Sequence, residues 1–152
     1  MISSSATVSP EAVVPDSAKV WGLAEIRERA ILGERVIVGR GAYVGIGVVV
    51  GAESKIQNYA MLYEPAEIGF GVFIGPGVVL TNDRYPRAIS PDRMQKTSAD
   101  WDPVGVKVLD GASVGALSVC VAPVTIGDWA MVAAGTVVSR DVPDHAIVAG
   151  NP

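Results

Sequence analysis

The sequence predicts an all-β fold, a parallel β-helix in which the chain turns a corner every six residues. A large hydrophobic residue recurs at every sixth position from Val8 to Leu80, and the series returns from Val108 to Val138. A smaller residue follows nearly all of them four places later. Hydrophobic residues make up 49% of the chain and aromatic residues only 6%, which indicates an aliphatic core. A six-residue period fits neither an α-helix nor an ordinary amphipathic strand, and a fixed period sets the architecture.

Three hexads should close one triangular coil, and consecutive coils should stack as parallel strands about 4.8 Å apart. Residues eighteen positions apart then lie one above the other. Stability in such a fold grows with the number of stacked coils. Several glycines directly follow a core position, where we expect corners with unusual backbone angles. These glycines are Gly33, Gly39, Gly45, Gly51, Gly69 and Gly75.

We expect residues 1–152 to form a single domain with one long insertion. About four coils run from Val8 to Val79, and the repeat then breaks over Thr81–Gly105, a polar stretch with three prolines. A loop of this length in a compact repeat fold is usually functional, and it should cover a ligand or reach a neighbouring subunit; a solvated insertion is the alternative. The final segment, 141–152, is expected to leave the repeat and cap the open end.

Composition excludes several classes of function and indicates a compartment. A net charge of −4 argues against nucleic-acid binding, and no apolar run is long enough for a membrane span. The N-terminus lacks the pattern of a signal peptide. Cys120 is the single cysteine and lies on a core position, so we expect it to be a buried small hydrophobe. Together these features favour a cytoplasmic protein.

A small polar site is expected where the loop begins. Glu64 and Asn82 are eighteen residues apart, so they should stack on one face. Asn58 lies one hexad before Glu64, on the adjacent side. A carboxylate beside an amide at the base of a long loop favours ligand binding, with a surface pair or an amide ladder as the alternative.

Six sequence blocks occur in an order that resembles the nucleotide-sugar N-acetyltransferases, which are hexapeptide-repeat enzymes with a left-handed β-helix. The blocks are KIQN, LYEP, GVFIGPGVVLTNDRYPR, GASVGA, AMVAAGTVVSRDVP and VAGNP. The resemblance implies transfer of an acetyl group from acetyl-CoA to an amino sugar linked to UDP or dTDP, without a metal. It also implies a homotrimer with sites between subunits, which outward apolar residues such as Val49 and Val79 favour as well.

The resemblance carries roles to particular residues. Asn82 would orient the reacting groups, and Glu64 would hold the amino sugar. The further substrate-binding candidates are Gln57, Asn58, Tyr63, Asp83, Arg84 and Arg87, the last two facing the diphosphate. The acetyl-CoA candidates are Ala116, Ala133, Ala134, Gly135 and Arg140. The chain departs from the family pattern at Gly22, Glu25, Tyr59 and Pro65, which leaves the identity of the sugar open.

The single histidine, His145, separates the competing functions. Acetylation of a hydroxyl in this fold normally needs a histidine base, whereas an unprotonated amine is already nucleophilic, so an amino-sugar acceptor is favoured. A β-helical carbonic anhydrase needs three imidazoles on zinc and is nearly excluded. A non-catalytic assembly or ligand-sensing module, and an acyltransferase with a different acceptor, remain as alternatives.

Overall fold

The computed structural model describes residues 1–151 as a parallel β-solenoid of nineteen short strands in three sheets. The strands are β1 Thr7–Val8, β2 Lys19–Val20, β3 Glu25–Ile26, β4 Ile31–Leu32, β5 Ile37–Val38, β6 Tyr43–Val44, β7 Val49–Val50, β8 Lys55–Ile56, β9 Met61–Leu62, β10 Glu67–Ile68, β11 Phe73–Ile74, β12 Val79–Leu80, β13 Val106–Val108, β14 Ser113–Val114, β15 Val119–Cys120, β16 Val124–Ile126, β17 Met131–Val132, β18 Val137–Val138 and β19 Ile147–Val148. One short 3₁₀-helix spans Ser98–Asp100. Within residues 1–151, no helix has the length and apolar character that a membrane span requires.

Each coil contributes one strand to each of three faces. Sheet I contains β1, β3, β6, β9, β12, β15 and β18; sheet II contains β4, β7, β10, β13 and β16; sheet III contains β2, β5, β8, β11, β14, β17 and β19. The chain passes from sheet I to sheet II, then to sheet III, and back to sheet I. We name the three corners edge I/II, edge II/III and edge III/I. Edge I/II carries residues 63–66, the loop 81–105, and residues 121–123 and 139–141.

The sixfold series predicts the core correctly. Strands stack eighteen residues apart, as in Glu25 beside Tyr43 and Tyr43 beside Met61. The large residues from Val20 to Leu80 and from Val108 to Val138 are buried, and so are their smaller partners from Ala18 onwards. Cys120 is fully buried and continues the series as expected. The prism interior is therefore filled one layer at a time by aliphatic side chains.

The predicted reason for the corner glycines is wrong. Gly33, Gly45 and the others in this set do not have a positive φ; that conformation falls two residues later, as at Gly41, Gly47 and Gly77. A Cβ atom at Gly33 would lie 2.4 Å from the main-chain nitrogen of Ala52 in the next coil. Glycine is needed there because successive coils approach closely, not because the backbone is left-handed.

The insertion leaves the stack undisturbed. Across it, partners are forty residues apart in all three sheets, as in Val79 beside Val119, in place of the usual eighteen. The excess of 22 residues projects from edge I/II, and its base is closed where the main-chain N–H of Val104 donates to the carbonyl of Asn82 at 3.0 Å. The loop lies between the end of β12 at Leu80 and the start of β13 at Val106.

The C-terminal segment differs from the expectation that it leaves the repeat. Ile126 bridges Val142, and Val132 pairs with Val148, so the segment adds a further, shortened coil with a spacing of sixteen residues. This coil is two residues shorter than the usual eighteen, so a search for the six-residue period does not detect it. Pro152, the last residue of the predicted cap, lies outside the described residues.

Candidate functional site

The stacked pair predicted from the sequence is present at edge I/II. The side-chain Nδ2 of Asn82 donates a hydrogen bond to the main-chain carbonyl of Glu64 at 2.8 Å. Both residues are half-buried, and both lie at the base of the loop. The amide of Asn82 keeps a second N–H and its oxygen for another partner. The contact therefore fixes the backbone of Glu64 without using up the polar groups of either side chain.

The carboxylate of Glu64 turns toward the coil below. A Cβ atom at Gly45 would lie 2.2 Å from Glu64 Oε2, so this oxygen rests over the bare Cα of the glycine. Oε2 is buried and has no hydrogen-bond partner within residues 1–151. A buried carboxylate oxygen without a donor is costly. A ligand that supplies a proton donor or a positive charge to this carboxylate would offset that cost.

Two tyrosines form a wall beside Glu64. The ring centroids of Tyr43 and Tyr63 are 5.3 Å apart with the planes tilted by 45°. Nη1 of Arg27 donates to the Tyr43 hydroxyl at 3.4 Å. Burial, and next the negative charge of Glu64, raise the pKa of Tyr43. The hydroxyl of Tyr43 is thus neutral at physiological pH and lies within the field of the carboxylate.

The loop forms a mixed-charge cavity of about 280 Å³ that is open to solvent on one side. It is lined by Asp83, Arg84, Tyr85, Lys96, Asp100, Trp101, Asp102 and Val104. Its two cations are outnumbered by three carboxylates, so the formal charge of the lining is −1. Asp100 is engaged by Thr97, whose backbone and hydroxyl donate to it and lower the pKa of Asp100. Arg87 does not line this cavity and donates to the carbonyl of Pro86 at 3.2 Å.

Most of the acetyl-CoA candidates lie at a different corner, edge III/I. Gly135 donates its main-chain N–H to the carbonyl of Ala116 at 2.8 Å, so consecutive turns stack directly along this edge. Ala133 and Ala134 belong to the same turn as Gly135. Ala116, Ala133 and Ala134 have small side chains and Gly135 has none, whereas the exposed side chain of Leu117 lies in the same turn as Ala116. We call this corner the groove edge.

Three of the predicted residues do not fall with the group assigned to them. Asn58 and Gln57 lie on edge III/I with the acetyl-CoA candidates, and Asn58 Oδ1 accepts a hydrogen bond from the backbone N–H of Arg40 at 2.9 Å. Arg140 lies on edge I/II, eighteen residues beyond Ala122 and in the same column as Asn82. The structure thus brings together Glu64, Asn82, Tyr63 and Asp83 but separates them from Asn58.

The outward face of sheet I lies between these two edges and is apolar. A row of half-buried side chains there continues through five coils without a charged residue, after Thr7 and Glu25 in the first two strands of the sheet. The row consists of Tyr43, Met61, Val79, Val119 and Val137. Within one chain, the loop edge and the groove edge are therefore held apart by a hydrophobic face.

Sequence reasoning missed Gly45 and Tyr43 as neighbours of Glu64, and Arg27 as the donor to the Tyr43 hydroxyl. A signal was present, because Arg27, Gly45 and Tyr63 are spaced by eighteen residues and therefore share one column. His145 is exposed on edge II/III, away from the loop edge of the same chain. Within residues 1–151, no three His, Cys, Asp or Glu side chains are grouped to hold a metal ion.

Family models match the repeat on both sides of the loop. The model described as bacterial transferase hexapeptide (six repeats) matches residues 47–82, and the model described as hexapeptide repeat of succinyl-transferase matches residues 29–59 and 104–140. Together they cover parts of the solenoid on both sides of the loop and leave out residues 83–103 of the loop itself.

Curated relatives are similar over short segments. The dTDP-3-amino-3,6-dideoxy-α-D-galactopyranose 3-N-acetyltransferase of Aneurinibacillus thermoaerophilus is 60% identical over 45 residues, which is 30% of this chain and 23% of the relative. Serine acetyltransferase 2 of Arabidopsis thaliana is 50% identical over 46 residues, which is 30% of this chain and 14% of the relative. The matched segments thus span less than a quarter of the length of these relatives.

A solved structure supports the same relationship over more of the chain. The hexapeptide-repeat-containing acetyltransferase of Vibrio cholerae, crystallised with acetyl coenzyme A, has a TM-score of 0.64 and 25% identity over 80% of this chain and 66% of its own. The buried sixfold series, the three parallel sheets and the matching models agree. The chain belongs to the hexapeptide-repeat family of acyltransferases.

Proposed function

We propose that the protein is an acetyl-CoA-dependent N-acetyltransferase that acts on the amino group of an amino sugar linked to UDP or dTDP. The observation that carries this proposal is the carboxylate of Glu64, which has a buried oxygen without a donor and is held at the foot of the loop by Asn82. An amino sugar supplies the missing positive donor. The relative from A. thermoaerophilus is named for such a substrate, which supports the choice of acceptor.

The chemistry requires positioning more than a strong base. The neutral amine attacks the thioester carbonyl, so that a C–N bond forms and the C–S bond breaks. The leaving thiolate takes up one proton, and a sugar that arrives as an ammonium releases one further proton to solvent. Glu64 would hold the amine, and the free N–H or oxygen of Asn82 would orient the amine or the thioester oxygen.

We propose that two copies complete each site. If sheet I faces the axis of a trimer, its apolar row is covered, and the loop edge of one copy meets the groove edge of the next. Glu64 and Asn82 of one subunit would then face the Ala116–Gly135 groove of its neighbour, where acetyl-CoA would lie. The separation of the two edges within one chain supports this arrangement, because a single copy cannot bring both groups to one reacting centre.

Tyr63, Asp83 and Arg84 would contact the sugar nucleotide from the loop side. The negative lining of the loop cavity favours the sugar and the base there over the diphosphate, so the phosphates would lie closer to Arg140 or Arg87. Asn58 and Gln57 would contact the ligand only across the subunit boundary.

A thiol-release assay tests the proposal. The protein is mixed with acetyl-CoA and a panel of UDP- and dTDP-linked amino sugars, and each is paired with its hydroxyl counterpart. We expect release of CoA thiol with at least one amino sugar and none with the hydroxyl compounds. Calorimetry should show binding of acetyl-CoA. Absence of acetyl-CoA binding would favour a non-catalytic module, and release with hydroxyl acceptors would contradict the choice of an amine.

A further inference from the structure

The surroundings of the Glu64 carboxylate have a feature that the proposed activity does not by itself require. Gly45 is buried and has an ordinary φ, so its backbone conformation does not demand glycine. Space does demand it, because a Cβ there would lie 2.2 Å from Glu64 Oε2, 2.9 Å from the main-chain nitrogen of Glu64 and 3.0 Å from the carbonyl oxygen of Leu62. Any side chain at position 45 would displace the carboxylate.

Two contacts from opposite sides locate Glu64. From the coil above, Asn82 holds the main-chain carbonyl at 2.8 Å. From the coil below, the bare Cα of Gly45 sets the depth of the carboxylate, which has no hydrogen bond of its own at Oε2. Packing against Gly45, and not a hydrogen bond, therefore fixes the position of this oxygen.

Neighbouring charges do not satisfy the carboxylate. Arg27 is tied to other groups, since its Nε donates to Glu28 at 3.0 Å and its Nη1 to the Tyr43 hydroxyl at 3.4 Å. The paired rings of Tyr43 and Tyr63 lie beside Glu64 and supply no positive charge. Oε2 of Glu64 thus lacks the cationic donor that would satisfy a buried carboxylate oxygen.

We infer that Gly45 is a positioning residue that sets Glu64 to discriminate an ammonium group from a hydroxyl at the reacting position of the sugar. This inference rests on the proposed function for the class of ligand. A hydrogen bond between charged groups is stronger than one to a neutral hydroxyl by an amount worth about tenfold in affinity. Displacement of the carboxylate by one added methyl group should remove that discrimination.

Binding of two probes tests the inference without turnover. dTDP-3-amino-3,6-dideoxygalactose and dTDP-6-deoxygalactose differ only at position 3, and their affinities are measured by calorimetry at pH 7 without acetyl-CoA. The wild-type protein should prefer the amino compound by about tenfold. Gly45→Ala and Glu64→Gln should both bring the ratio close to one.

Gly33→Ala is the matched control, since its Cβ would also contact the next coil, 2.4 Å from the nitrogen of Ala52, but on edge II/III. It should lose stability and keep the preference. If Gly45→Ala fails to fold, Glu64→Gln carries the test alone, because it changes no volume. A preference that survives in Glu64→Gln, or in folded Gly45→Ala, would overturn the inference. Equal affinity or no binding of both probes to the wild type would do the same.

The outcomes separate this inference from the proposed activity. Thiol release with an amino sugar together with an unchanged preference in Gly45→Ala rejects the role of Gly45 and leaves the transferase intact. A preference that is lost in both variants, without any acetyl-CoA binding by the wild type, supports the roles of Gly45 and Glu64 and rejects the transferase.

Discussion

The side-chain amide of Asn82 and the main-chain carbonyl of Glu64 are joined by a hydrogen bond of 2.8 Å that links two coils at the base of the loop. The bond fixes the main chain of Glu64 and does not neutralise its carboxylate. The consequences of this relationship can be measured.

Asn82→Ala should lower turnover on the accepted amino sugar by about 100-fold, because lost positioning of reacting groups costs that much. Its affinity for acetyl-CoA, measured by calorimetry, should be unchanged. Asp128→Ala is the matched control, since the Asp128 side chain likewise makes one hydrogen bond to the coil below, in which its Oδ1 accepts from the N–H of Asp110 at 3.0 Å. Both variants should lose about 1 kcal/mol of stability. Normal turnover in Asn82→Ala would show that the residue only links two coils and does not position the reacting groups.

Light scattering should give a mass three times the 15.7 kDa of the chain. Val119→Glu places a charge in the apolar row of sheet I and should yield monomers without activity, because a buried unpaired carboxylate is costly. Ser113→Glu adds the same group to the outward face of sheet III and should leave the trimer intact. A monomeric wild type at micromolar concentration, or an active monomer, would contradict the shared site.

Burial raises the pKa of the Cys120 thiol to about 12 from an ordinary value of 9.0. Native protein at pH 8 should therefore react slowly with a thiol reagent, whereas unfolded protein should react at once. The unfolded thiol ionises first, so between pH 9 and 12 this residue should lower the free energy of unfolding by about 1.4 kcal/mol per pH unit. Cys120→Ala should show a shallower decline, and identical slopes would disprove the assignment.

His145→Asn should leave turnover unchanged. His145 is exposed on edge II/III with a φ of 60°, and asparagine tolerates this backbone conformation. The matched measurement is the pH profile of thiol release in both proteins. A large loss of activity in the variant would indicate a histidine base and favour a hydroxyl acceptor.

Removal of residues 83–104 should preserve the fold. The deletion takes out 22 residues, the excess over the usual spacing, and joins Asn82 to Gly105. The new turn reads Thr-Asn-Gly before β13, with glycine at the corner position that is left-handed in other coils, such as Gly47. Thermal unfolding should change little and acetyl transfer should be lost. A large fall in the melting temperature would show that the loop stabilises the stacked coils.

The core was predictable because each hexad places its two buried residues independently of the rest of the chain. Val20 and Ile126 obey the same rule although more than 100 residues separate them. The sixteen-residue coil that ends in β19 was not predictable in this way, since it breaks the period while keeping the pairing.

The site was only partly predictable. The spacing of Glu64 and Asn82 places them together. The role of Gly45 depends on the direction in which the Glu64 carboxylate points, and the period of the sequence does not predict that direction. Likewise, the close approach of coils at Gly33 depends on the distance between adjacent backbones.

The register of the three sheets across the insertion has an evolutionary consequence. Because Leu80 and Val106 are placed as though nothing lay between them, a single insertion into an ordinary repeat suffices to create the loop. Substrate preference can then diverge among descendants by exchange of that one segment, while the ancestral scaffold is inherited unchanged.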